Sequence, residues 1–571
     1  KRRATRACCH CRGRKVRCDV MEYGSPCTNC RLDKVDCMTL ERRRKRLVLV
    51  PKTFASARMK SRNARRLVRR DGPAPLFVRC PHNLSMGCVA NPVPVRAPTK
   101  PMSIESAQEE ETSPLLTRGD ESGFILPQYT RALPEHLDQD DIRFLAKKGA
   151  LSVPATCLRN KLLTSYAHHV HSDMPLLDLD ELVRPIITND VDHPISLLLL
   201  QAVLFAAAAF VDIEDLQDVG FESRKHARAT FYRRARLLYE FDYEQDRINL
   251  VQALLLMSYW EESPNGLKDG WHWLGLVLSV AQTIGLHRKT ESADGDSMRI
   301  RTRLWWCIYT RDSVMALDMR HPMHISSIEF DTQPLMIDHF QLELSEPTVN
   351  SIGYSGLLGN AEHQRSLAVI FIAKVTLCHS VKHVLESQYS VEFDTSARVV
   401  PRRFIQEENQ VSKCAQGLNR WVSSLAPEAR YAFMDIASLT KAEGILHVQR
   451  SSLQMIYLSL MGALYRPHIH SESTNPDVRE QPVPQLFFAA RKTTSIAQNL
   501  QSLDLTKFLP ATAVTALYSA GITQLLGVQD IHSQGVYIQH LRQDLYFLEG
   551  LQDIYPTAGS AASFLEAIIA R

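Results

Sequence analysis

From about residue 129 onward the apolar residues recur at helical spacing, and strand-like alternation is scarce. The stretch DQDDIRFLAKKGAL, residues 138–151, has acids at its start and an apolar stripe of Ile142, Phe144 and Leu145. Lys147 and Lys148 stand in its last turn and Gly149 stops it, so a capped helix is predicted. GWHWLGLVLSVAQTIGLHR, residues 270–288, is nearly all apolar from Trp271 to Leu286, which predicts a helix buried on most sides and ended at Gly285. Similar runs lie near residues 301–319, 367–386, 446–465 and 511–527, with no repeat of fixed period. A large all-α domain over residues 129–571 follows. Its most apolar run, the 17 uncharged residues ISLLLLQAVLFAAAAFV at 195–211, approaches the length of a membrane span. Gln201 interrupts it, acids follow at Asp212, Glu214 and Asp215, and no basic flank marks one side, so it reads as a buried helix and no membrane partner is expected.

The preceding 128 residues differ. Residues 72–128 hold 9 of the chain's 28 prolines and the acidic run EEETS, the composition of a disordered Pro-rich linker. Residues 46–71 form a basic linker, and residues 1–45 a separate head. Over residues 1–71 there are 23 Lys or Arg against 6 Asp or Glu, in a chain whose formal net charge is +5, so a basic head sits on an acidic body. That asymmetry directs the head toward nucleic acid or an anionic surface.

Cysteine placement makes the choice. Seven of 13 cysteines fall within residues 8–37. Setting aside Cys9, which is out of register, Cys8, Cys11, Cys18, Cys27, Cys30 and Cys37 repeat C-x2-C-x6-C twice. Each two-residue gap lets neighbouring thiolates face one metal. Zinc takes four ligands in a tetrahedron, so six thiolates satisfy two Zn2+ ions only if two of them bridge. Clustering favours metal over disulfides, and so few residues cannot bury a sufficient apolar core alone. Between these ligands lie Arg12, Arg14, Lys15 and Arg17, on a short helix expected from about residue 9 to 17. Cations of this kind neutralise phosphates, and those at a helix end can reach guanine O6 and N7 in the major groove. Cys80 and Cys88 with His82 are too irregularly spaced to form another metal site.

The sequences ACCHCRGRKVRCD and GSPCTNCRLDKVDC, with all six ligand positions, resemble the fungal binuclear zinc cluster transcription factors. RATRACCHCRGRKVRCDV with PCTNCRLD is more narrowly similar to the group of cutinase transcription factors and fatty-acid-responsive regulators. The resemblance implies that Cys8 and Cys27 bridge two zincs, that Pro26 is the family's proline before the fourth cysteine, and that Arg14 and Lys15 face a CGG-type triplet while Arg12 and Arg17 hold phosphates. GWHWLGLVLSVAQTIGLHR, RTRLWWCIYTRDSVMALDMRHPMHI and LYRPHI resemble the family's fungal-specific regulatory domain, an all-helical module. In it Trp305, Trp306 and Tyr309 are expected as core, with Arg303, Arg311 and Asp312 forming charged pairs at its edge.

The resemblance implies a nuclear, DNA-binding regulator of RNA polymerase II genes, acting on double-stranded DNA together with the transcription machinery. RRRKR at 42–46 suits nuclear import or a backbone clamp. Family members pair subunits through a coiled coil, and Leu40, Leu47 and Phe54 are seven apart here. Pro51 and Ser61 break that pattern, which leaves homodimer and monomer both open. Control of lipid or cutin breakdown and control of a secondary-metabolite cluster remain alternatives, as does a zinc-dependent scaffold without DNA specificity. HHVHSD at 168–173 contains H-x-H-x-D, but Met174 and Pro175 follow where a metallo-hydrolase needs another ligand. With no P-loop, G-x-S-x-G or dinucleotide-binding pattern either, no catalytic residue and no enzyme activity are expected.

Overall fold

The computed structural model describes residues 126–260, 268–289, 295–353, 356–391, 399–401, 408–469, 482–528 and 534–570, with Cys11, Arg14, Val16, Cys18, Asp19, residues 26–33 and Cys37 of the head. They belong to two units, within residues 1–75 and 76–571. The expected basic linker and nearly all of the Pro-rich linker, with Cys80, His82 and Cys88, lie outside the described residues.

In the head, α1 (Thr28–Leu32) starts at Cys27, whose Sγ accepts from the Cys30 amide. Most of the expected helix over residues 9–17 lies outside the described residues. The Val16 amide, however, donates to the Cys11 carbonyl five residues back at 3.1 Å, a bond that ends a helix rather than continuing it.

The body begins with Leu126 and Tyr129 packed on its core, and Thr130 bridges Ile195 in parallel. α2 (Gln139–Lys147) obeys its sequence signals: the Asp138 carboxylate accepts from the amides of Asp140 and Asp141, and Gly149 follows the helix at φ 72°. α3 (Thr156–Ser165) runs directly into a π-helical turn, Tyr166–His171. α4 (Leu179–Thr188), α5 (Leu197–Ala207), α6 (Ile213–Gln217), α7 (Arg224–Glu240) and α8 (Arg247–Met257) come next, with α5 held between α7 and α8. Every residue of α5 is buried, so the uncharged run is an interior helix, and Gln201 within it donates to the carbonyls of Ala150 and Ser152.

α9 (Gly270–Thr283), α10 (Gly295–Met319), α11 (Glu346–Ile352) and α12 (Ala361–Gln388) carry the chain through the middle, α9 against α10 and α10 against α12. β1 (Tyr389–Val391) and β2 (Val399–Pro401) pair antiparallel, a short departure from the all-helical pattern. α13 (Glu408–Ser424), α14 (Lys441–Tyr465), α15 (Pro482–Ser502), α16 (Thr512–Gly527), α17 (Gln534–Leu551) and α18 (Pro556–Ile569) complete the body. α14 packs against α12, α15 and α16, and α16 in turn against α17 and α18. By length and composition α12 could cross a membrane, but 61% of its most apolar window is buried within the protein.

Two details depart from expectation. α9 buries Trp273, Leu274, Val277 and Leu278 but exposes His272, Ser279 and Gln282, so its core stripe is one-sided. Arg303, Arg311 and Asp312 are all buried, and they do not pair with one another at an edge. Arg303 donates to the carbonyls of Leu177 and His339, and Arg311 to Ser258 O and Oγ while stacked 3.8 Å from the Tyr259 ring centroid. Asp312 accepts from His324 Nδ1 at 2.9 Å and from the amides of His324 and Ile325, fixing the turn that follows α10. These charges satisfy backbone groups of loops that the helices leave behind, so they belong inside.

Close approach also explains the first residue of α9. A Cβ on Gly270 would lie 2.5 Å from the Ser258 carbonyl oxygen, the same atom that Arg311 holds, and 3.0 Å from Met315 Cε. Gly270→Ala should therefore destabilise the protein by about 1–3 kcal/mol, despite alanine's higher helix propensity. Thermal unfolding of the variant beside the parent checks this; an unchanged midpoint would contradict it.

Candidate metal centre and nucleic-acid interface

Cys11, Cys18, Cys27 and Cys30 are buried against one another, and Cys37 packs half-buried beside them. Two short pieces of chain bring them together. Cys27 and Cys30 sit one helical turn apart at the start of α1, so both sulfurs point to the same side. Cys11 comes from the other half of the repeat, and the sulfurs of Cys11, Cys27 and Cys30 all lie within 4.8 Å of one another.

The donor set fits zinc. Thiolates bound at about 2.3 Å around a tetrahedral zinc stand about 3.8 Å apart, and Cys11 Sγ lies 3.6 Å from Cys27 Sγ. Among the described residues this is the group of three or more Cys, His, Asp or Glu ligand atoms gathered so closely, and its cysteines are free thiols rather than disulfides. The Cys30 amide lowers the pKa of the Cys27 thiol, whereas burial and the thiols of Cys11 and Cys18 raise it, to about 12 on balance. A divalent cation at the centre of these sulfurs reverses that preference and holds them as thiolates.

Polar residues that the spacing did not single out support the cluster. Asn29 Nδ2 lies 3.6 Å from Cys11 Sγ, and the Cys27 amide 3.3 Å from Cys37 Sγ. Asp19, directly after Cys18, accepts from the Thr28 amide at 3.0 Å and so ties the two halves together. The Thr28 side chain and then its amide hold the Asp19 carboxyl below its usual range. The available signal was position: these residues stand next to ligands or in the gap between them.

Of the predicted DNA-facing residues, Arg14 is described, half exposed and ion-paired with Asp33 just after α1. Cys8, Arg12, Lys15 and Arg17 lie outside the described residues, as do Cys9 and the run at 42–46. The H-x-H-x-D segment proves to be the π-helical turn and its exit. His168 and His169 sit at one side of it, while Asp173 forms a buried ion pair with Lys374 of α12 at 2.8 Å.

Comparison with known proteins agrees with both units. The fungal Zn(2)-Cys(6) binuclear cluster domain matches residues 6–47, and the fungal specific transcription factor domain matches residues 163–423. Cutinase transcription factor 1 beta of Fusarium vanettenii is 34% identical in an alignment covering 100% of this chain and 73% of that protein. Transcription factor cpaR of Aspergillus oryzae is 32% identical over 77% of this chain and 76% of its own length. A Fusarium pseudograminearum transcription factor is 28% identical over 99% and 78%. With a zinc-binding thiol cluster ahead of a helical body, and with relatives this similar along most of their length, the chain belongs to the fungal Zn(2)-Cys(6) binuclear cluster transcription factors.

Proposed function

We propose that the protein is a nuclear, sequence-specific regulator of genes transcribed by RNA polymerase II, reading CGG-type triplets through its zinc-organised head. The observation that carries this reading is the convergence of the Cys11, Cys27 and Cys30 sulfurs beside the exposed cation Arg14. Two zinc ions are shared among Cys8, Cys11, Cys18, Cys27, Cys30 and Cys37, with Cys8 and Cys27 as bridges. The place of Cys27 supports this, for it neighbours Cys11 and Cys18 of one half as well as Cys30 and Cys37 of its own.

Arg14 and Lys15 read bases, and Arg12 and Arg17 hold phosphates. Arg14 must first leave Asp33, and an exposed ion pair gives up its partner at little cost. The body is the regulatory domain, and the basic run at 42–46 serves nuclear import, backbone binding or both. Genes of lipid or cutin breakdown are favoured as targets over a secondary-metabolite cluster. The cutinase regulator matches 100% of this chain, whereas fusaric acid cluster transcription factor FUB12 of Gibberella moniliformis matches 31% of it at 25% identity.

Selection of duplexes from a random pool by the full zinc-loaded chain tests the reading, and CGG-containing duplexes should be enriched. Lys15→Ala should lose about 1–3 kcal/mol of discrimination between CGG and scrambled duplexes. Equal binding of both duplexes by the unmutated protein would instead leave a zinc scaffold without DNA specificity.

A further inference from the structure

α17 buries a carboxyl group where its surroundings supply no cation. Asp544 is fully buried, on the same face of the helix as the buried Leu541 and Leu548. Thr494 Oγ1 of α15 stands 2.7 Å from its Oδ1 and 3.2 Å from the Ala490 carbonyl oxygen, while Oδ2 has no hydrogen-bond partner among the described residues. A threonine hydroxyl has one proton to give. Given to Ala490, one turn back, as Thr493 beside it gives its own to Ala489, it leaves Thr494 only a lone pair for Asp544. The proton between the two side chains then belongs to the aspartic acid.

The elements packed most closely against α17 are α15, α16, α18 and the 3-10 turn Thr506–Phe508. α16 has no charged residue, and its titratable group, Tyr518, is a phenol, neutral below about pH 10. α15 carries Arg491, which is exposed, and Lys492, whose Nζ lies 5.4 Å from the Tyr431 ring centroid. Glu566 of α18 is exposed, and Lys507 of the 3-10 turn is paired with Asp504. Along α17 itself Arg542 and Glu549 are exposed, and burial with the Arg491 charge pushes the His540 imidazole down, so it is neutral near pH 7. An unpaired carboxylate taken out of water costs more than keeping the proton. Burial accordingly pushes the Asp544 carboxyl well above the usual range, and the Thr494 hydroxyl offsets only part of this.

We infer that Asp544 is an uncharged carboxylic acid donating to Thr494, and that removing its proton frees α17 from α15 and α16, making this packing a proton-dependent joint in the C-terminal part of the body. The joint has a fixed side. Just beyond α17, Asp553 pairs with Arg224 at 3.1 Å, the Ile554 carbonyl accepts from the Arg228 guanidinium, and the Tyr555 hydroxyl donates to the Leu509 carbonyl at 3.0 Å. A charge on Asp544 therefore reaches water by lifting the turns of α17 before it, Leu541 among them. These residues lie beyond 163–423, where the family domain matches, and the inference is independent of DNA recognition by the head.

With α17 open, an aspartic acid ionises at about pH 3.9. Packed, Asp544 keeps its proton to a far higher pH, so between these limits the packed state loses about tenfold in its equilibrium constant per pH unit. Hydrogen exchange of the α17 amides in the full zinc-loaded chain tests this, with Asp544→Asn and Asp544→Leu beside the parent. The protection of each variant relative to the parent should rise at least tenfold from about pH 5.5 to about pH 7.5. The infrared difference between the parent and Asp544→Asn near pH 7 should contain the carbonyl band of one protonated carboxyl. A ratio that stays flat in both variants, or the absence of that band, would overturn the inference.

Discussion

Cys27→Ala is expected to take bound zinc from two ions per chain to none and to abolish DNA binding, while the helical body stays folded. Cys27 stands where the two halves of the repeat meet, within 3.6 Å of Cys11 Sγ and next to Cys30. If it bridges, its loss leaves both metals short of the four ligands that a structural zinc site requires. Structural zinc supplies about 10–16 kcal/mol of apparent binding free energy in small finger peptides. Among the described residues of the head nothing else approaches that, since those that pack together there are the cysteines themselves. The body has its own extensive apolar core and belongs to the other unit, so its helicity and melting should persist. Metal content by elemental analysis, duplex binding and far-ultraviolet circular dichroism read the three parts separately. Cys157→Ala, at an exposed thiol of the body, is the control that should change none of them. Two zincs per chain retained by Cys27→Ala would refute the assignment.

The head and the body differed in how much of them could be read from sequence. Ligand spacing is local, so Cys11, Cys27 and Cys30 were identifiable before their sulfurs were seen together. Helix signals are local too: Asp138 and Gly149 bracket α2 where expected, the runs near residues 301–319 and 446–465 fall within Gly295–Met319 and Lys441–Tyr465, and that near 511–527 matches Thr512–Gly527 to within one residue. Charges were harder. Arg303, Arg311 and Asp312 read as an edge because charged residues usually are exposed, and what makes burial tolerable is supplied by Leu177, Ser258 and His339, remote in sequence. Likewise a cavity in the body joins Lys161 and His169 to Lys441 and Phe508, and no periodicity within one segment encodes that meeting. For HHVHSD, neither the π-helical geometry nor the partner of Asp173 was legible in the sequence.

That partner carries the largest effect expected in the body: Lys374→Met should destabilise it by about 3–5 kcal/mol. Lys374 Nζ lies 2.8 Å from Asp173 Oδ1 and also donates to the Asp173 carbonyl, with both side chains about nine-tenths buried. Burial alone would lower the lysine's pKa, but the nearby carboxylate outweighs it and the ammonium is held above its ordinary value. The lysine's contribution is thus fully present below its ordinary pKa and is lost as pH rises through the raised one. It joins residues 201 apart, tying the exit of the π-helical turn to the middle of α12. Methionine keeps the length and apolar stem of lysine but strands the carboxylate in a site that water barely reaches. Asp173→Leu combined with Lys374→Met removes both charges and should regain most of the loss, because replacing a whole buried pair is far cheaper than breaking it. Denaturant titrations of the two single variants and the double variant measure the coupling; three equal midpoints would mean that the pair contributes nothing to holding these helices together.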